Sequence, residues 1–169
     1  MRLNKRAAIC AVVIVSLAVA TAVARAGISG GAAPDVEFKT GGAFSTPSAT
    51  FVTVTTSTFT ANAGLITVHF SAAGWVQDWR SGGVFAGKDY AALRARVLVN
   101  GTPLAPGAAV ILDNTGKIGI QPPRPIAGSF EWAGLLNATG VTTVTVQVAN
   151  LHAFDNAQLN HFTLTVQHG

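Results

Sequence analysis

Cysteine is nearly absent from this chain, which has one cysteine, Cys10, in 169 residues. Cys10 lies in an apolar run near the N-terminus, so the remainder of the chain has no thiol. Disulfides and catalytic thiols are therefore excluded from that remainder. Its stability must come from a hydrophobic core. A chain of this length can supply one, because it buries roughly two-thirds of its surface on folding.

Charge is also scarce: 11% of the residues are Asp, Glu, Lys or Arg, and the formal net charge is +4. Four of the basic residues, Arg2, Lys5, Arg6 and Arg25, lie within the first 26 positions, where no acidic residue occurs. The remaining chain has seven basic and seven acidic residues and is neutral overall. A neutral chain gives no electrostatic reason to expect nucleic acid or an anionic membrane surface as a partner.

The first 26 residues have the three-part pattern of a secretory signal peptide. Residues 1–6 carry three cations, residues 7–24 are almost wholly apolar, and Ala24-Arg25-Ala26 places small residues where a signal peptidase reads. We expect cleavage before Gly27, a secreted or periplasmic product without stable membrane insertion and, from the alanine-rich leader, a bacterial source. The alternative is an uncleaved anchor, since about 18 apolar residues approach the lower limit of a membrane span.

Beyond the leader, the pattern predicts a short lead-in followed by one β domain. Residues 27–50 are rich in Gly, Ala, Ser, Thr and Pro, which predicts a flexible segment with a possible edge strand at 36–39. Residues 51–169 show apolar residues at every second position, as β-strands do. The predicted strands cover residues 51–56, 58–61, 65–71, 90–99, 110–112, 118–120, 129–132, 141–149 and 159–167.

The alternation predicts strands with one buried face and one polar face. Val144, Val146 and Val148 share one face, opposite a face of Thr and Gln side chains. Such strands are typical of antiparallel sheets packed in a sandwich, and no segment beyond the leader has the periodicity of an amphipathic helix. The immunoglobulin pattern of Cys, Trp and Cys is absent. We therefore predict an all-β antiparallel sandwich of the jelly-roll type.

Two stretches carry a resemblance to a known family. Residues 58–70 run as a short strand, a turn at Asn62-Ala63-Gly64 and an aromatic-containing strand, and Val97-Leu98-Val99-Asn100-Gly101 is a strand that ends in a tight turn. Together with residues 144–148 and Phe162-Thr163-Leu164, this order resembles C1q/TNF-like jelly-roll domains. The resemblance implies a compact trimer that binds ligands through surface loops. The aromatic-Gly-aromatic closing pattern of that family is missing, and no functional residue is carried over.

One cluster has the composition of a ligand site. An indole stacks on the flat face of a sugar while amide, carboxylate and guanidinium groups bind its hydroxyls, and all of these groups occur between positions 75 and 80. The candidate ligand-binding residues are Trp75, Gln77, Asp78, Trp79, Arg80 and Trp132. The structural alternative is that a tryptophan caps the sandwich core and that Asp78 pairs with Arg80 or Arg94.

Metal and hydrolase chemistry have weaker support. His69 and His161 would meet if their strands were neighbours, but no fixed ligand spacing occurs, so we predict solvated histidines, no metal and no cofactor. Glu131 with Asp78 or Asp113 would make a small secreted hydrolase only if their carboxyls lay about 5–10 Å apart across a cleft. No Gly-x-Ser-x-Gly nucleophile motif occurs. We therefore predict that the protein is not an enzyme.

The leading functional hypothesis is an exported, non-enzymatic β-sandwich that acts in binding or assembly at the cell exterior or in the periplasm. Its outward strand faces are rich in hydroxyl groups and poor in charge, which favours self-association. Partners would be a carbohydrate, a cell-surface protein or further copies of the chain. A carbohydrate-binding module that uses surface tryptophans is the alternative. Arg94 and Arg96 share one strand face, where we expect nearby acids to pair with them.

Overall fold

A computed structural model describes residues 34–46, 48–78, 91–113, 125–153 and 155–169. All the secondary structure in these ranges is β. Within them, no helix has the length and hydropathy needed to cross a membrane. The strands are β1 (Asp35–Gly41), β2 (Phe44–Thr46), β3 (Val52–Ala61), β4 (Gly64–Asp78), β5 (Ala92–Val99), β6 (Thr102–Pro103), β7 (Ala109–Asp113), β8 (Ile126–Leu136), β9 (Gly140–Asn150) and β10 (Asp155–His168).

The strands form two antiparallel sheets. Sheet A has the order β1-β10-β4-β8, with β2 also paired to β10, and sheet B has the order β3-β9-β5-β6, with β7 also paired to β5. Successive strands alternate between the two sheets from β3 to β5 and again from β8 to β10. Apart from β5 with β6 and β7, hydrogen-bonded neighbours are therefore distant in sequence, as in a jelly roll. The predicted all-β sandwich of the jelly-roll type is confirmed.

The core lies between the sheets and follows the predicted alternation. On β9, Val144, Val146 and Val148 are fully buried. On β10, Leu164 and Val166 are buried in the same core. Because successive side chains of a strand point to opposite sides, the residues between them form the outer face of each sheet. The sequence pattern thus fixes which face of each C-terminal strand is available to a partner.

The predicted turn at Asn100-Gly101 is confirmed. Both residues have positive φ, 49° for Asn100 and 83° for Gly101, as a type I′ hairpin turn requires. The turn joins β5 to β6. The Asn100 side chain accepts a hydrogen bond from the Thr143 backbone amide at 2.8 Å, which ties the hairpin to β9.

Other elements differ from the prediction. The lead-in contributes two strands, β1 and β2, where the sequence indicates one candidate. The two strands predicted over 51–61 are one strand, β3. The strand predicted over 65–71 continues to Asp78 as β4. The strand predicted over 118–120 lies outside the described residues.

The outer face of sheet A, called the A face below, is laid out in rows across four strands. One row contains Phe38, Thr165, His69 and Glu131, and the next contains Thr40, Thr163, Ser71 and Ser129. Further along, His161, Ala73 and Ala127 make a third row. Small side chains therefore occupy the centre of the face.

Candidate functional site

Trp132 does not belong to a surface site. It faces the core from β8, is 0% exposed, and donates a hydrogen bond from Nε1 to the Gly107 carbonyl at 2.6 Å. The expectation that Trp132 binds a ligand is wrong, and the structural alternative of a tryptophan in the core describes it. The physical reason is register: Trp132 lies opposite the buried Val68 and so shares its inward orientation.

Trp75 is the candidate tryptophan that the described structure places on an outer face. It lies half-buried on β4, opposite Gln158 of β10. Gln77 and Asp78 continue the backbone of β4 and pair with Asn156 and Asp155. Trp79 and Arg80 lie outside the described residues, so their assignment to a ligand site stays a prediction.

A shallow depression lies on the A face, and one of its lining residues, Ala73, stands two positions before Trp75 on β4. It is open, has a volume of about 430 Å³, and exists because small side chains on β4 and β8 leave the surface low. Its lining includes Ser71, Ala73, Ala127, Ser129, His161 and Thr163. Hydroxyl groups and one imidazole are the polar groups of this lining, so the depression suits hydrogen bonding to an uncharged polar group rather than a charged one.

The histidines on the A face do not converge. β4 and β10 are neighbours, as a shared site would require, but His161 lies opposite Ala73, four residues along β4 from His69. At about 3.3 Å per residue the two histidines are about 13 Å apart. Throughout the described ranges, no group of three His, Cys, Asp or Glu side chains is placed to hold a metal ion.

The carboxyl pair of the hydrolase hypothesis is not formed. Glu131 lies opposite His69, and Asp78 lies nine residues further along β4. Those nine residues span roughly 30 Å, well beyond the separation that glycosidase carboxyls need. Asp113 ends β7 in the other sheet. Glu131 therefore shares no cleft with Asp78.

Arg94 and Arg96 lie on the outer face of sheet B, but their partners are not the acids that we expected. Both guanidinium groups lie over the ring of Phe51, at 5.5 Å for Arg94 and 4.2 Å for Arg96 from the ring centroid. Arg96 also donates to the side-chain oxygen of Gln147, and Arg94 to the Asn150 carbonyl. In the described part of the chain, none of these partners is a carboxylate.

A strip of threonines continues from this arginine pair along β3 and β9. Thr56 lies opposite Thr145 with 3.5 Å between their hydroxyl oxygens, and Thr58 lies opposite Thr143 with 3.3 Å between theirs. These four residues are called the threonine strip below. A bulge between Thr53 and Thr55 turns Thr56 and Thr58 outward, whereas Thr143 and Thr145 face outward by the alternation of β9. Sequence reasoning missed the β3 half of the strip because a bulge shifts every later side chain by one position.

Comparison with known proteins finds structural likeness only. No family model and no curated protein matches the chain. Among solved structures, it is similar to the VP2 subviral particle of infectious bursal disease virus, with 13% identity, 80% of this chain covered and a TM-score of 0.45. The dimeric latent PorU from Porphyromonas gingivalis matches with 12% identity, 82% coverage of this chain and a TM-score of 0.42.

The Eiger TNF from S. frugiperda is also among the similar structures, with 14% identity, 64% of this chain covered and a TM-score of 0.34. The chain spans about a third of the length of the VP2 chain, 14% of the PorU chain and 62% of the Eiger TNF chain. These likenesses concern the fold alone.

Proposed function

We propose that this protein is an exported, non-enzymatic β-sandwich that assembles with further copies of itself through the A face. The observation that carries the proposal is exposed apolar surface at the margins of that face. On the edge strand β1, Phe38 is 66% exposed, and Leu135 of β8 is 73% exposed. The row between them consists of Val36, Gln167, Thr67 and Ala133, none of which is charged.

This composition suits a protein partner. Burial of large apolar side chains lowers the free energy of association by about 25 cal/mol for each Å² removed from water. Interfaces have charge-poor centres, and the central row of the A face consists of Thr40, Thr163, Ser71 and Ser129. A chain that is neutral beyond its leader also has little electrostatic repulsion against a second copy.

Light scattering coupled to size-exclusion chromatography tests the assembly. We expect the purified protein to elute as an oligomer and Thr163→Arg, which places a charge at the centre of the A face, to elute as a monomer. Thr60→Arg, on the exposed outer side of sheet B, is the matched control and should leave the oligomer intact. A monomer at every concentration of the unaltered protein would overturn the proposal.

Export is tested separately, by the N-terminus of the protein recovered from the periplasm or medium of a bacterial host. Mass spectrometry should find a chain that begins at Gly27, because the small residues Ala24 and Ala26 precede that position. A full-length chain in the membrane fraction would instead support the uncleaved anchor.

A carbohydrate-binding module is the second candidate, because Trp75 lies on the A face two positions along β4 from Ala73, which lines the depression. A neutral oligosaccharide would stack one ring on the indole and place a further unit on the hydroxyls of Ser71 and Thr163, about 13 Å along the strands. The two candidates compete for one surface, so a bound glucan should dissociate the oligomer. Pull-down with neutral polysaccharides, compared between the unaltered protein and Trp75→Ala, decides this candidate. Equal retention of both proteins would exclude it.

A further inference from the structure

Two arginines share one aromatic ring on the outer face of sheet B. Arg94 and Arg96 lie two residues apart on β5, so their side chains leave the strand on the same side. Their guanidinium carbons lie 5.5 and 4.2 Å from the centroid of Phe51. The two guanidinium carbons therefore lie within about 10 Å of each other, so their like charges repel, and contact with the ring face offsets only part of that repulsion.

Hydrogen bonds hold Arg96 in place. Its Nε donates to Gln147 Oε1 at 2.9 Å, and Gln147 Nε2 donates in turn to the hydroxyl of Thr53 at 3.3 Å. Among the described residues, Arg96 uses one donor of its guanidinium group, and its two terminal nitrogens are left to meet other groups. A fixed guanidinium loses less conformational entropy when it binds a ligand.

Arg94 has donor capacity that the described residues do not use. One terminal nitrogen donates to the Asn150 carbonyl at 3.3 Å, while its Nε is buried and meets no acceptor among them. An unsatisfied buried donor on a charged group is unfavourable. An anion seated between the two guanidinium groups would offset the repulsion and accept hydrogen bonds from both, since the arginine fork matches oxyanions.

The threonine strip lies next to Arg96 on the outer face of sheet B. Gln147 lies opposite Arg96, and Thr145 lies two residues further along β9. The hydroxyl pairs of the strip follow one another at about 7 Å along the strands. A hydroxyl both donates and accepts hydrogen bonds, as sugar hydroxyls do. An anion site thus continues into a row of neutral hydroxyls.

We propose that this surface binds an acidic polysaccharide, with a carboxylate or sulfate group on Arg94 and Arg96 and sugar hydroxyls along the threonine strip. Charge complementarity supports an anion, and the adjoining hydroxyls support a glycan as its carrier. The site goes beyond the assembly function and lies on the other sheet from the A face.

Calorimetric titration with polygalacturonate, dextran sulfate and neutral dextran tests the proposal. We expect binding of at least one acidic polymer, none of neutral dextran, and weaker binding as salt is added. Arg96→Gln and Arg94→Gln should each weaken binding about tenfold, the effect of losing a hydrogen bond to a charged group. Glu131→Gln on the A face is the charge control: it also changes the net charge by one unit, but on the other sheet, so it should leave binding unchanged.

A second variant separates glycan recognition from charge alone. Thr58→Val removes a hydroxyl from the strip and keeps β propensity, so it should weaken polygalacturonate binding severalfold while circular dichroism shows the fold unchanged. The proposal is overturned if no acidic polymer binds, if Glu131→Gln changes binding as much as Arg96→Gln, or if only free sulfate binds. It is likewise overturned if a DNA oligonucleotide binds as tightly as polygalacturonate. Thr163→Arg separates this result from assembly, since a monomeric variant should still bind the acidic polymer.

Discussion

Trp132 contributes to the stability of the core through both packing and a hydrogen bond. Its indole is fully buried, its ring contacts the ring of Phe130 with centroids 5.0 Å apart, and its Nε1 donates to the Gly107 carbonyl. Trp132→Phe keeps an aromatic ring but removes that hydrogen bond and part of the volume. We expect the free energy of unfolding in urea to fall by about 1–3 kcal/mol. Trp75→Phe is the matched control, with an expected change of about 0.5 kcal/mol or less. Equal effects would mean that Trp75 is as deeply packed as Trp132.

His168 has a polar ring in an apolar position. It is 3% exposed and stacks on Phe59 with centroids 4.4 Å apart, and neither ring nitrogen meets a hydrogen-bonding partner in the described chain. His168→Phe keeps the stacked ring and removes the two unpaired nitrogens. We expect the free energy of unfolding to rise by about 1 kcal/mol, measured by urea denaturation near neutral pH. A fall of the same size would show that the imidazole has a partner in solution, and His168→Ala should be destabilising in either case.

Among the elements, β4 depends on a glycine at the point where β10 is irregular. The register of β4 with β10 shifts between Leu159 and His161, and a Cβ at Gly74 would overlap the Gln158 backbone carbonyl. Gly74→Ala should therefore push the two strands apart and lower the free energy of unfolding by about 1–3 kcal/mol. Gly42 is the matched control, because a Cβ there meets no other atom within 4 Å. Thermal unfolding of both variants measures the difference. An unchanged midpoint for Gly74→Ala would mean that β10 can move at no cost.

The elements also show where sequence reasoning works and where it stops. Strands β9 and β10 are predictable because their alternation is local: each second residue is apolar, and the structure buries those residues. The bulge in β3 is not predictable in this way. Val52 and Val54 alternate with Thr53 and Thr55 in the sequence, yet Thr55 is buried opposite Val146. The extra residue is set by the pairing with β9, which is distant in the chain.

The candidate site has the same division between local and distant information. The sequence shows that Arg94 and Arg96 share a face, but not that Phe51 and Gln147 lie beside them. Those partners come from β9 and from the segment before β3. Trp132 is a further case. The sequence of β8 alone does not reveal which of its faces points to the core, and the pairing of Trp132 with the buried Val68 does. The alternation within one strand shows which residues share a face, but only the pairing of strands shows which residues of other strands lie beside them.

For the molecule as a whole, the two sheets have different outer surfaces. The A face carries exposed Val36, Phe38 and Leu135 around small residues, which supports assembly. The outer face of sheet B carries the arginine pair and the threonine strip, which support a ligand. A sandwich can perform both tasks at once because its faces point in opposite directions. Assembly through the A face would then present several anion sites on one particle, and multivalent presentation raises apparent affinity without new contacts.

Both sheets line the same core, which makes unfolding a property of the whole molecule. Phe70 and Trp132 of sheet A belong to the same buried cluster as Val97 and Val146 of sheet B. Removing one sheet would expose the apolar face of the other, so we expect a single cooperative transition. In a Trp75→Phe/Trp79→Phe background, fluorescence reports Trp132 in sheet A, while far-ultraviolet circular dichroism reports both sheets. The two signals should give the same urea midpoint at a fixed protein concentration. Separate midpoints would show that one sheet persists without the other, against the shared core.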